Sequence, residues 1–550
     1  MVKEEMQTTN TFQKGSTLPP QREGVPDLAI QIEQQKMRQR RIFRRRTIQQ
    51  WWPSILLTVL GVVLATILGQ YATFYPKIAI GVLVGIIGLF ICLRFVEFGF
   101  FMLAFASTAF FPELFAIKSL EVFPGMILLA LMFFVLLIQA AFRTRPFVWP
   151  SFWAIWPQLG IVATAVVSNI MIQLTWTPGV PHQLNSNPII YDEILGTILC
   201  AIPLFILFTT TGFVSKKEQL IEYIQRMVLI GAFIGGLVII IEFKRIGASV
   251  YTFRYTEPMI LWMRLRALVQ LLVLGAIIGY VRFLYAQTWR QRIMYGLVIV
   301  VTLGATYLSL ENSWWLEAAF AFVVITFFYS WKLFLGLCIA GLGAIPLLQY
   351  ELTKLQTVKS VDTYRFIIWS DMLRVWKMHP ILGVGPGNLW TYDQYFTQLP
   401  RYLRDFNKTG LGVAHNGYIQ MLGEMGIPGL FFYLAFIVLF FVIALRLYRR
   451  SRSPDKRADR MLALETMGLL VGSAVADFVA GSFFLPPRQL GIFHELTNVI
   501  LTWIMFGFVM YKDKLWRIAQ QKMTSSIQFD PPAPADLAKL ALKDPIKTNY

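Results

Sequence analysis

The sequence predicts an all-α membrane protein, a bundle of about 14 transmembrane helices with a large extracytoplasmic loop of amphipathic helices. Three observations carry that expectation. Of 550 residues, 56% are hydrophobic and 15% charged, whereas soluble domains hold about a quarter charged residues. The apolar residues fall in runs of the roughly 20 residues that a helix needs to cross a bilayer core, and in lipid only helices or closed barrels satisfy every backbone polar group. The lysines and arginines, which give a formal net charge of +19, gather where those runs end rather than along one face. Charge therefore reports topology and excludes a nucleic-acid partner.

Residues 1–50 are polar, lack the apolar core and cleavage site of a secretory signal, and end in a basic cluster from Lys36 to Arg46 beside Trp51 and Trp52. This reads as a cytoplasmic tail meeting anionic headgroups, either as a simple stop on translocation or as a regulatory contact with membrane lipids. Over 51–349 the runs near 54–71, 78–94, 97–116, 123–142, 152–172, 195–214, 227–243, 266–285, 293–310, 314–331 and 333–349 make a bundle of about 11 spans. Runs near 428–447, 461–481 and 490–511 add three more in the segment 428–511. With the N-terminus inside, the pairs Arg143 and Arg145, Lys216 and Lys217, then Arg282 with Arg290 and Arg292, and the Arg446–Arg460 cluster all fall in the cytoplasm. The segment 512–550, with Asp530-Pro531-Pro532-Ala533-Pro534, reads as a disordered cytoplasmic tail.

The same count puts the long segment 350–427 outside. One short outer loop breaks the charge rule: between about 244 and 266 it carries Lys244, Arg245, Arg254, Arg264 and Arg266. Either these arginines form an anion site, since their forks fit phosphate oxygens, or the loop is a surface tolerated because the other topological signals are strong. Cys92, Cys200 and Cys338 lie in apolar runs without metal-ligand spacing, so they read as packing residues, and neither a metal site nor a cofactor is expected.

Candidate chemistry concentrates in the outer segment. A helix over Val361–Met378 gathers Val361, Ile368, Trp369, Met372, Leu373 and Trp376 on one arc, with Thr363, Ser370, Arg374 and Lys377 opposite. Arg365 lies within the apolar arc, and Asp362, three residues earlier, is within reach to orient it. The two form either a structural pair or a ligand clamp. His415, one of four histidines, precedes the span near 428 and has Asn416, Gly417 and Gly423 beside it. A packed or capping histidine is the plainer reading, and a general base that takes a hydroxyl proton is the functional one. His379, His182 and His494 also fall near the outer face. Glu242, Glu317 and Asp477 lie in or at the outer ends of spans, where a carboxylate is paired, functional or snorkelling to the interface.

The stretch His415-Asn416-Gly417 through Gly426-Ile427-Pro428-Gly429, with the upstream turn His379-Pro380-Ile381-Leu382-Gly383-Val384-Gly385-Pro386-Gly387, resembles the O-antigen ligase and polymerase family. The resemblance implies a GT-C-like bundle that moves a glycan from a polyprenyl-diphosphate carrier onto a lipid or glycan hydroxyl outside the bacterial cytoplasmic membrane. Arg365 matches a family arginine, and with His415 it is the catalytic candidate; Asn416 and His379 from the motifs, with Asp362, Arg254, Arg264, Arg266 and Asp477 from the readings above, are the candidates for binding substrate. Where many members carry a Ser-Arg-Gly-x-Trp-like turn, this chain reads Glu311-Asn312-Ser313-Trp314-Trp315. Asn312 in place of that arginine leaves diphosphate neutralisation to Arg365 with Arg254, Arg264 or Arg266. Ligase and polymerase differ only in acceptor. A lipid-linked-glycan transporter and a non-catalytic membrane scaffold are the readings from other classes.

Overall fold

A computed structural model describes residues 87–108, 115–117, 120–122, 124–142, 148–175, 177, 189–214, 218–247, 259–260, 263–309, 312–339, 360–389, 391–392, 415–479 and 496–529. In chain order the elements are α1 (Val96–Ala106), the ribbon β1 (Phe115–Ile117) and β2 (Leu120–Val122), α2 (Pro124–Ala141), α3 (Phe152–Leu174), α4 (Ile189–Val214) and α5 (Gln219–Ile246). A second ribbon of β3 (Met259–Ile260) and β4 (Met263–Arg264) follows, then α6 (Leu265–Leu284), α7 (Trp289–Leu308), α8 (Asn312–Tyr329) and α9 (Ser360–Met378). The chain closes with α10 (Gly417–Arg450), α11 (Arg457–Asp477) and α12 (Leu496–Phe529). Both ribbons are antiparallel, pairing Phe115 with Val122 and Met259 with Arg264. Apart from them the described chain is an all-α membrane protein. Six of its helices, within α2, α3, α4, α5, α7 and α10, are long and apolar enough to cross a membrane.

Local sequence sets the helix ends. Thr288 caps α7, accepting from the Gln291 amide while the Gln291 side chain returns to the Thr288 amide. Asn416 caps α10, its side-chain oxygen accepting from the Ile419 amide at 3.0 Å. α5 ends on Gly247 with φ 61°, and Lys244 and Arg245 in its last turn complement the helix dipole.

Close packing then does what the hydrophobic effect cannot do between helices that already sit in lipid. Small residues bring α8 and α11 together: a Cβ on Gly472 would fall 2.4 Å from the Glu317 carbonyl and one on Gly468 2.6 Å from Ile325. The Ser473 hydroxyl seals the same contact by donating to Glu317 at 2.6 Å. On the other face, Phe436 of α10 stacks on Trp503 of α12 at 4.7 Å, with Phe440 and Phe506 against them.

A second, smaller core lies apart from this bundle. Ile172 of α3, Ile368, Met372 and Val375 of α9, and Val384, Leu389 and Tyr392 form it, with Ile419 of α10 packed alongside. The helix expected over 361–378 is α9, but its fully buried positions are Ile368, Asp371, Met372 and Val375, while Trp369, Leu373 and Trp376 are half-buried. Packing against α10 and the following turn rotates the inner face by about one residue and takes Asp371 inside. The helix containing the span expected at 428 starts at Gly417. Of the tail expected to be disordered from 512, residues 512–529 continue the helix α12, where Lys512 pairs with Glu218 at 2.8 Å and Asp459 at 2.9 Å and Arg517 with Asp513 at 2.8 Å; residues 530–550 lie outside the described residues. Cys338 is exposed rather than packed, whereas Cys92 and Cys200 are buried.

Candidate active site

The site is organised by a break in α10. Pro428 has no amide hydrogen to return to the Glu424 carbonyl, and Gly426 adopts φ 62° and ψ −158°, so the helix bends here. The carbonyls of Gly423 and Glu424, released by the bend, accept from the amides of Val384 at 2.9 Å and Gly385 at 2.8 Å. The glycine-rich turn is thus attached to α10 by two backbone hydrogen bonds. A Cβ at 426 would fall 2.0 Å from the Ile381 carbonyl, so both the dihedral and the contact require glycine. The Ser168 hydroxyl of α3 lies between the carbonyls of Leu382 and Glu424, 3.0 Å from the latter.

Behind the turn stands a polar network that the sequence reading did not anticipate. Glu193, buried near the start of α4, accepts from Asn388 at 2.8 Å and from Gln173 at 2.5 Å. Asn169 donates to the Glu193 carbonyl at 3.0 Å and to Thr197 at 2.9 Å. The sixth span was expected to begin near 195, which placed Glu193 outside it. The helix starts at Ile189, and a carboxylate one turn inside an apolar helix would have been the signal. His379 sits on this side, its Nε2 3.0 Å from the Thr177 hydroxyl and its ring edge-on to Tyr392 at 5.7 Å. Burial pushes its imidazole pKa down.

The second half of the site is the N-terminus of α10. His415 has φ 47° and is the one non-glycine residue with positive φ among the described residues. An L-residue pays roughly 1–2 kcal/mol for that conformation, and such strain concentrates at functional sites. Asn416 is buried; its oxygen caps the helix, and its Nδ2 has no partner among the described residues, leaving a desolvated donor for an incoming oxygen.

Gly417 admits the carboxylate of Asp477, which would lie 2.2 Å from a Cβ at that position and which accepts from the Tyr433 hydroxyl. Asp477 is buried. Two residues beyond it, the Val479 carbonyl accepts from the half-buried Arg365 guanidinium at 3.2 Å. Arg365 thus meets the segment just after Asp477, and Asp477 meets Gly417, two residues after His415. Tyr418 adds a bond from its hydroxyl to the Ala474 carbonyl at 2.7 Å.

The structure does not bring every candidate to this end of α10. The turn bearing His379 meets α10 at Gly423 and beyond, about two turns from its N-terminus. Arg254, His182 and His494 lie outside the described residues, as do the side chains of Asp362, Arg264, Arg266 and Asn312. Glu242 pairs with Arg245, whose Nε donates at 2.9 Å. Arg374, on the arc opposite the expected apolar one, lies 3.9 Å from buried Asp371. Among the described residues no group of three or more His, Cys, Asp or Glu is placed to hold a metal ion.

No curated protein matches the chain. A family model described as O-antigen ligase matches residues 267–434, a range that contains Arg365, the glycine-rich turn, His415 and the α10 bend. That match supports membership of the O-antigen ligase family, and it is carried by this part of a helical membrane architecture.

Proposed function

We propose that this protein transfers a glycan from a polyprenyl-diphosphate carrier to a hydroxyl acceptor at the extracytoplasmic face of a bacterial cytoplasmic membrane. What supports the reading is the start of α10, where His415 has a strained backbone and the Asn416 amide has no partner among the described residues, together with Arg365 bonded to Val479, all within the matched family region except Val479. In this scheme His415 accepts the proton of the acceptor hydroxyl as its oxygen attacks the anomeric carbon. The bond from that carbon to the diphosphate oxygen breaks, and the leaving diphosphate keeps the electron pair. Arg365 and the Asn416 amide stabilise the charge that develops there, the kind of interaction that dominates many barriers.

The arrangement of basic loops supports both termini and the 446–460 loop on the cytoplasmic side and 350–427 outside. Outer-loop arginines Arg254, Arg264 and Arg266 are proposed to contact the diphosphate, and Asp362 to orient Arg365. Asp477 acts through Gly417 as a positioning residue, and His379 fixes the glycine-rich turn.

The deciding experiment incubates the purified full-length protein in nanodiscs with a defined polyprenyl-diphosphate glycan and candidate acceptors, without ATP and with a chelator. Transfer under those conditions supports the reading. Its absence from a correctly inserted protein, across lipid and glycan acceptors, overturns it. Arg365→Lys sharpens the result: one ammonium cannot reproduce a bidentate fork, so transfer should fall by roughly 10²-fold although charge is kept.

A further inference from the structure

At the other end of α10 from His415 lies a cluster of guanidiniums that glycan transfer does not use. Arg450, the last residue of α10, donates to Asp513 of α12 at 3.1 Å, and its guanidinium lies 3.5 Å from the centre of the Trp516 ring. Arg517 holds the other Asp513 oxygen at 2.8 Å. Arg446, one turn earlier on α10, and Arg517 both lie close enough to Arg450 for their like charges to repel it, and Asp513 is the one carboxylate acting on Arg450 among the described residues. The Nε of Arg446 is buried and has no partner among the described residues. Two guanidiniums thus share one carboxylate and a third lies beside them, so that this group of four side chains carries an excess of two positive charges.

We propose that Arg446, Arg450 and Arg517 form a binding site for the phosphate of an anionic phospholipid headgroup. An excess of charge alone would attract any anion diffusely. Here Asp513 and Trp516 fix the forks before a ligand arrives, and planar guanidiniums fit phosphate oxygens two at a time. Arg450 and Arg517 keep 28% and 35% of their side chains exposed, so a headgroup can reach them. The depth selects a lipid over a soluble phosphate: the cluster begins where the apolar stretch of α10 ends at Leu445 and Leu447, and Trp516 is of the residue type that anchors at the headgroup level. The lipid would then clamp α10 to α12 at the end remote from the site.

The test uses purified full-length protein in detergent, titrated with phosphatidylglycerol or phosphatidylcholine and read by native mass spectrometry. Wild type should retain phosphatidylglycerol in preference to phosphatidylcholine. Arg446→Gln with Arg517→Gln should weaken phosphatidylglycerol binding roughly 30-fold. Arg290→Gln with Arg292→Gln, which removes the same charge from the exposed start of α7, should leave it unchanged. An equal loss in both double variants would show diffuse attraction and overturn the site. Displacement of the lipid by inorganic phosphate at low millimolar concentration would make the occupant a soluble anion and overturn the lipid assignment. If the double variant fails to insert, Arg517→Gln alone carries the same test with a roughly fivefold loss. Binding is read without turnover, so its failure and a failure of the glycan-transfer reading are separate results.

Discussion

The two ends of α10 are held by different kinds of interaction. At the Gly417 end, backbone carbonyls freed by Gly426 and Pro428 bind the amides of a glycine-rich turn, and buried Glu193, Asn169 and Asn388 brace that turn from behind. At the Arg450 end the helix is regular, and its partner is an ion pair: partly exposed Arg450 bonds Asp513 of α12, which partly exposed Arg517 also holds, with Lys512 of α12, paired to Glu218, beside it. Buried amide and carboxylate groups have few alternative partners, so they fix one geometry. Exposed charges keep water as an alternative, so they contribute little to stability and can exchange partners. The first kind suits a site that must hold reacting atoms in register, and the second suits a boundary that meets lipid headgroups.

The comparison breaks most decisively at His415. If the Gly417 end carries chemistry, His415→Ala should lower glycan transfer about 10²- to 10⁴-fold, the usual contribution of a general base, while donor binding persists through the arginines. Donor affinity and turnover measured separately decide it. Loss of donor binding in proportion to turnover would make His415 a ligand or a packing residue.

Next in size is Gly426→Ala, which places a Cβ against the Ile381 carbonyl in a left-handed backbone. It should cost about 3 kcal/mol of stability and detach the turn from α10, seen as loss of hydrogen-exchange protection at the Val384 and Gly385 amides. Retained protection would mean that the side-chain network alone holds the turn.

A smaller effect follows from His379. Burial lowers its pKa below the ordinary 6.5, so the folded state favours neutral imidazole and the unfolded state binds the proton more readily. The stability this histidine contributes is complete above about pH 6.5 and is lost as pH falls through the lower folded value. Thermal unfolding midpoints of wild type should therefore drop more steeply below pH 6 than those of His379→Gln; parallel curves would remove the residue from the linkage.

The smallest change is expected among the charges outside both ends. Arg226 pairs with Glu222 one turn away on α5, with both side chains more than half exposed. Arg226→Ala should shift stability by less than about 0.5 kcal/mol and leave transfer intact. A larger loss, read by denaturant unfolding, would show that exposed pairs here are not screened.

Much of this molecule was legible because its determinants are local in sequence. Apolar runs and the α9 helix follow from periodicity and side-chain chemistry within a few residues, whereas the cap that Asn416 makes on α10 was not foreseen. The glycines and Pro428 were visible as a motif. That they release carbonyls for a turn 40 residues upstream was not, because no local rule names the partner of a freed backbone group.

Composition and residue spacing by themselves determined a helical membrane protein, and the two motifs pointed to its family. Only tertiary structure decided which polar residues act together. Glu193 and Asn388 stand 195 residues apart along the chain, and Arg365 meets Val479 across 114. Such pairs form because a polar group shut away from water must find a partner wherever the packed helices supply one, and that supply is a property of the fold rather than of any stretch of sequence.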